Sequence, residues 1–303
     1  MQELWKKYRS LNVPGRLIAV TVAVFVLTQL YNLFLTLCCI TGYHWQQYLA
    51  LDANVYSFLL KPWTLLTYMF VHADLTQDVF HLLFNMICLY WFGNFYLRYH
   101  TGRQLLGLYL TGGLFAGLVF LFVYNVFPYF ALDRNSTAVV GASGAIFALI
   151  VAVAIHRPDE RVTLLLLLWR CTVRMKWIAI VAVALSVLSV TSANAGGNVC
   201  HVGGALWGAV YGLMLRRGVD ITSGFNRLAD GLVGLFRPRR KMKVMRGGAH
   251  ATWTGDRAQD RDYNRRRRAE EAQIDAILDK MRRSGYNGLT EEEKRTLFSA
   301  GKK

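Results

Sequence analysis

The sequence predicts an all-α, polytopic membrane protein whose main part is a bundle of six transmembrane helices. Its composition is too apolar for an ordinary soluble chain: 54% of the 303 residues are hydrophobic and the mean hydropathy is +0.26. Six apolar runs, at residues 17–37, 79–96, 105–127, 138–155, 177–190 and 199–215, approach the ~20 residues that a helix needs to cross a bilayer core. Lys and Arg divide unevenly between the two sides of that layout. Lys61 and Arg134 fall on one side, whereas Lys6, Arg16, Arg98, Arg157, Lys176 and Arg217 are among those on the other. This bias puts both termini in the cytoplasm.

Residues 1–16 form a polar cytoplasmic N-terminus. The run 17–37 has a basic front and an apolar middle, as a signal peptide does, but no small-residue cleavage site follows it and further spans do. Residues 38–60 are rich in aromatics and suit a membrane interface. Residues 64–78, apolar but interrupted by His72 and Asp74, are expected at the membrane surface. The second span carries His81 and Asn85 in its first two turns. The fourth, 138–155, carries Ser143 near its outer end. Residues 162–169 are apolar but too short to cross, and are expected at the interface. An uncharged loop, 191–198, leads into the sixth span and His201. The membrane domain thus occupies residues 17–217.

Residues 218–268 are glycine-dotted and basic, the composition of a flexible linker. From Arg216 onward, 22 Lys/Arg stand against 12 Asp/Glu, a surplus drawn to anionic lipid headgroups. No nucleic-acid-binding motif accompanies that charge, so no nucleic-acid partner is expected. Residues 269–303 are expected to form a small helical hairpin. Ile274, Ile277, Leu278 and Met281 recur at helical spacing, Ser284-Gly285 ends that helix, and Thr290 with Glu293 makes a capping box for a second. A hairpin of this size does not fold firmly alone. It either docks on the membrane domain or a partner, or stays a solvated tail. Cys38, Cys39, Cys88, Cys171 and Cys200 form no CxxC and no metal spacing, and read as small core residues.

The chemistry centres on Gly141-Ala142-Ser143-Gly144. A serine needs a base before it attacks, and histidine suits that task near neutral pH. No Asp or Glu lies in the fourth, fifth or sixth run, so catalysis here would use a Ser143–His201 dyad without a carboxylate. Phe147, one turn after Ser143 on the same face, is the candidate to pack on the imidazole. Helix contact has a means: Gly204, Gly208 and Gly212 recur every four residues, and the fourth run answers with Gly144, Ala148 and Ala152. His81 and Asn85, four apart, share one helix face and, with the Ser143 amide, would suffice as donors to an oxyanion. Singly, each feature has a bland explanation in packing, interfacial position or interhelical hydrogen bonding. Their coincidence at one depth is informative because polar groups are costly there. No HExxH occurs, and His72, Asp74, Asp78 and His81 lack the usual zinc spacing, so neither a metal nor a cofactor is expected. Cys200 adjoins His201, but helix neighbours point about 100° apart and cannot pair with each other.

Four motifs carry a family resemblance: Pro62-Trp63-Thr64 leading to Phe70-Val71-His72; His81-Leu82-Leu83-Phe84-Asn85; Gly141-Ala142-Ser143-Gly144 with Phe147; and His201 followed by Gly204 and Gly208. Over residues 62–217 the sequence resembles the rhomboid family of intramembrane serine proteases. The resemblance implies a six-helix rhomboid-like bundle with Ser143 as nucleophile and His201 as general base. It implies an oxyanion hole of His81, Asn85 and the Ser143 amide, with Phe147 against the catalytic imidazole. Gly141, Gly144, Gly204 and Gly208 support the dyad by the same match. The implied substrates are transmembrane helices of membrane proteins, cut near the membrane surface at small residues. The tail resembles extensions on some bacterial members, which implies a bacterial inner membrane. One departure stands out: many members have Glu four residues after the glycine equivalent to Gly93, an acid usually assigned to stabilising the first loop, and here Leu97 takes its place.

The alternative is a catalytically silent rhomboid-like protein that binds transmembrane clients; retention of both Ser143 and His201 argues against it. A transporter or channel would show ionisable residues in mid-span or broken, repeated helices. The sequence shows neither.

Overall fold

Apolar stretches satisfy their backbone hydrogen bonds internally when they coil into helices, and helices dominate this chain. A computed structural model describes residues 2–40, 45–73, 75–166, 169–236, 257–285 and 288–300. The chain divides into two units, residues 1–238 and 239–303. The first runs α1 (Gln2–Ser10), α2 (Val13–Leu37), α3 (Gln46–Leu49), β1 (Leu51–Asp52), α4 (Val55–Leu60), α5 (Thr64–Thr67), α6 (Leu75–Tyr96), α7 (Gly102–Val126) and α8 (Pro128–Ala131). It continues with β2 (Ala138–Val139), α9 (Ser143–His156), β3 (Arg161–Leu166), β4 (Trp169–Arg174), α10 (Met175–Leu188), α11 (Ala195–Arg216) and α12 (Ser223–Phe236).

Among the described residues, three helical stretches are long and apolar enough to cross a membrane: Val13–Leu37, Val79–Tyr96 and Gly102–Val126. α9 and α10 are apolar but shorter, at 14 residues each. A helix of that length rises only about 21 Å, against a hydrocarbon core of about 30 Å. The fourth run therefore departs from the expected span. Residues 138 and 139 are extended and pair antiparallel with β1, Leu51 opposite Val139, and the helix begins only at Ser143. Gly141, at φ +121°, makes the turn between the two conformations and donates its N–H to the Tyr68 carbonyl at 2.9 Å. A short α9 is tolerated because protein surrounds it. From Gly144 to Ala154 every residue but Phe147 is buried, the pattern of a helix that is apolar all round.

α9 and α11 meet backbone to backbone. A Cβ on Gly204 would collide with the Gly144 carbonyl, and one on Gly208 with the Ala148 carbonyl. At Gly212 it would lie 2.9 Å from the Ala152 oxygen. α7 closes on the same pair, with Gly203 of α11 opposed to the Ala116 backbone. Hydrogen bonds between helices add to this packing: Trp207 Nε1 donates to Thr111 Oγ1 at 2.9 Å, and the Tyr96 and Tyr211 hydroxyls meet at 2.7 Å. Outward faces carry exposed apolar side chains, among them Leu27 and Phe34 of α2, Phe84 of α6, Phe122 of α7 and Leu185 of α10. Such contiguous apolar surface marks contact with lipid or protein.

Helix starts follow local capping chemistry. Asn12 Oδ1 accepts from the Gly15 N–H at 3.0 Å ahead of α2, with Pro14 in the first turn. Thr101 and Gln104 form a reciprocal capping box for α7. The first loop is held without an acid at position 97. Leu97 packs against the apolar core. Lys61 pairs with Asp52 at 3.1 Å, Asn125 Nδ2 donates to the Ala53 carbonyl at 2.7 Å, and Trp63 Nε1 donates to the Tyr48 carbonyl at 2.8 Å.

Two further stretches gain structure. Of residues 162–169, read as an interfacial apolar stretch, 162–166 and 169 lie in two antiparallel strands in which Thr163 faces Thr172. The β-branched Val162, Thr163, Thr172 and Val173 favour strand over helix. The stretch 218–268, read as flexible linker, contains α12 and the start of the next helix; residues 237–256 lie outside the described residues. α12 is fastened to α7 through its polar side: Asn226 Nδ2 donates to the Arg103 carbonyl, and Asp230 pairs with Arg103.

The second unit contains α13 (Arg257–Ser284) and α14 (Glu291–Ala300). α13 ends at Gly285, φ +71°. Thr290 N–H donates to Glu293 at 2.7 Å, and Glu293 N–H donates to Thr290 Oγ1 at 3.3 Å. Lys280 also donates to Glu293, and these bonds hold that carboxyl below the usual carboxylate range.

Gly208→Ala forces a methyl onto the Ala148 carbonyl, so it is expected to lower unfolding stability in micelles by about 1–3 kcal/mol. Gly231→Ala, with open space around it, is expected to leave stability unchanged or raise it by up to ~1 kcal/mol. Gly141→Ala, strained at positive φ and 3.0 Å from His81 Cε1, is expected to cost about 1–3 kcal/mol. Equal denaturation midpoints for the three variants would contradict this packing.

Candidate active site

Four elements converge at one end of the helices. α9 contributes Ser143, its first residue, and Phe147 one turn on. α11 contributes His201 in its second turn. α6 contributes His81 and Asn85, and α10 contributes Ser186. Because α9 starts where the β2 turn ends, the serine stands at a helix N-terminus, where amide N–H groups lack intrahelical partners.

Ser143 Oγ lies 2.8 Å from His201 Nε2. In the tautomer that leaves the Nε2 lone pair toward Ser143, Nδ1 carries the ring proton. Nδ1 lies 3.2 Å from Ser186 Oγ, a hydroxyl that accepts in that tautomer and donates in the other. Both ring nitrogens of His201 thus have hydroxyl partners. The Phe147 ring stacks on the imidazole, with centroids 4.2 Å apart and planes 3° from parallel. Gly144 and Gly204 make this approach possible, since a side chain at Gly204 would separate the two backbones. Cys200 is buried beside Gly144 and does not enter the pair.

His81 and Asn85 flank the turn two residues before the serine. A Cβ built on Gly141 would lie 3.3 Å from His81 Nε2 and 3.8 Å from Asn85 Nδ2. Asn85 is buried, and its Nδ2 donates to His72 Nε2 at 3.2 Å. His72 is fully buried, and its ring centroid is 5.4 Å from that of His81. The structure therefore brings Ser143, His201 and Phe147 together and places His81 and Asn85 beside Gly141, two residues before the serine.

Chemically, the arrangement offers a hydroxyl with a base in hydrogen-bond reach, an oriented imidazole, and side-chain donors beside a free helix-start amide. Sequence reasoning missed two neighbours of these residues. His72 stands in a motif of the family resemblance and as a rejected metal ligand, with no partner assigned; its tie to Asn85 depends on how the first loop folds inward. Ser186 had one signal, a hydroxyl in an apolar run that also holds Ser189, and serines in membrane helices are too common for that to suffice.

Comparison with known proteins agrees with the motifs. A family model described as Rhomboid domain matches residues 60–218. A second, described as a family of unknown function (DUF6576), matches residues 258–302. The chain is 31% identical over 165 residues to RHOMBOID-like protein 12, mitochondrial, of Arabidopsis thaliana, an alignment covering 51% of this chain and 47% of that protein. The chain thus spans about half the length of that curated relative. With the Rhomboid domain covering residues 60–218, more than half of its length, this chain belongs to the rhomboid family.

Proposed function

We propose that this chain is an intramembrane serine protease that hydrolyses peptide bonds in or near transmembrane segments of membrane proteins through a Ser143–His201 dyad. The observation that carries this reading is the 2.8 Å contact between Ser143 Oγ and His201 Nε2, on an imidazole stacked against Phe147. Packing and two hydroxyl hydrogen bonds orient the base without a carboxylate.

In the proposed reaction Ser143 Oγ attacks the scissile carbonyl carbon as its proton passes to His201 Nε2. The carbonyl oxygen becomes an oxyanion, stabilised by the Ser143 amide and by donors from His81 and Asn85. The C–N bond breaks as Nε2 returns the proton to the leaving amine, which leaves an acyl ester on Ser143. Water then attacks that ester, giving its proton to Nε2, and the acid product leaves as the proton returns to Ser143 Oγ. A six-crossing arrangement with both termini in the cytoplasm of a bacterial inner membrane fits the distribution of Lys and Arg. The substrates are transmembrane helices, and the basic tail contacts anionic lipid headgroups.

A fluorophosphonate probe applied to the full chain in liposomes is expected to label Ser143, and Ser143→Ala or His201→Ala to abolish labelling. Loss of one oxyanion donor in Asn85→Ala is expected to slow substrate cleavage by about 10²–10³-fold. An intact fold with neither labelling nor cleavage would overturn the protease reading and favour a silent, client-binding protein.

A further inference from the structure

We propose that Ser186 of α10 is a positioning residue for His201, the third member of a Ser186–His201–Ser143 chain. The inference rests on the protease reading above and assigns the helix that holds the base. α10 buries little: Met175, Ala179 and Ser186 are its buried residues, whereas Trp177, Ile180, Val181, Leu185, Val187 and Leu188 are exposed. An apolar helix turning a hydroxyl inward, at 4% exposure, places the one side chain there that needs a polar partner. That partner is His201 Nδ1, 3.2 Å away, while Nε2 of the same ring meets Ser143 Oγ at 2.8 Å.

The chemistry follows from the two ends of one ring. A neutral imidazole has one N–H and one lone pair. The Ser186 hydroxyl can accept or donate; in the proposed arrangement it accepts from Nδ1–H, which leaves the Nε2 lone pair toward Ser143. When Ser143 Oγ gives up its proton, Nε2 gains it and the ring becomes a cation. Nδ1–H is then a stronger donor, and its bond to Ser186 Oγ strengthens as the charge forms. Ser186 keeps its own proton throughout. It therefore acts on turnover more than on substrate binding. Phe147 fixes the plane of the ring; Ser186 fixes its rotation within that plane and its tautomer.

The test measures cleavage of a transmembrane substrate by the full chain in liposomes, with Ser186→Ala, Ser186→Thr and Ser186→Val, the last two matched in shape and differing in the hydroxyl. Ser186→Ala and Ser186→Val are expected to lower kcat by roughly five- to tenfold with KM unchanged, as one hydrogen bond to the reacting base would allow. Ser186→Thr is expected to keep most of the rate. Nitrogen NMR of labelled histidine should show the Nδ1–H form of His201 in the parent and in Ser186→Thr, and a mixed population in Ser186→Val. Equal kcat for the Thr and Val variants, or an unchanged tautomer in Ser186→Val, would overturn the inference. An inactive parent that still shows the Ser186-dependent tautomer would sink the protease reading and leave the contact standing.

Discussion

The backbone contact between α9 and α11 is the constraint on which the site depends. A hydroxyl and an imidazole on these two helices meet at 2.8 Å, and the backbones that carry them are in direct contact beside the pair. Inside a membrane the hydrophobic effect does not drive helices together, because lipid is as apolar as the helix it would leave. Close approach must come from shape. Gly204, Gly208 and Gly212 present bare backbone to Gly144, Ala148 and Ala152, four residues apart on both sides. The contact that stabilises the pair thus also sets the reach of His201.

Polar groups in such an interior are costly unless each has a partner. The dyad meets that demand by sharing partners. His201 meets Ser143 and Ser186 from its two nitrogens; Asn85 meets Nε2 of His72, whose buried Nδ1 has no hydrogen-bond partner among the described residues. A buried carboxylate would have brought a far larger desolvation penalty. A stacked phenyl ring and a serine hydroxyl orient the imidazole with no charge at all. The arrangement fits a base that has to be neutral at rest and carry charge only during turnover.

Much of this was legible in the sequence because it is periodic or contiguous. The glycine spacing on α11 announced its contact face, and Gly141-Ala142-Ser143-Gly144 announced the serine. The rest was illegible for identifiable reasons. The start of α9 was misread at residue 138, because an apolar run looks the same whether its first residues coil or pair as a strand. α12 hid in a basic, glycine-dotted stretch because its fastening points, Asn226 and Asp230, bond to α7, far away in sequence. Ser186 and His72 meet their partners on other elements, and one-dimensional spacing carries no trace of such contacts.

The short α9 joins these points. α9 begins at Ser143, after a strand and a positive-φ glycine. Irregular backbone at membrane depth survives only where protein satisfies it. Here the Gly141 N–H is taken by the Tyr68 carbonyl, and β2 is paired with β1. Tyr68 is in turn anchored through its hydroxyl to the Gly113 carbonyl on α7. The first loop and α7 therefore hold open the notch in which α9 starts. In the proposed reaction Ser143 attacks from that notch, so its walls are as much a condition of the proposal as the Ser143–His201 contact.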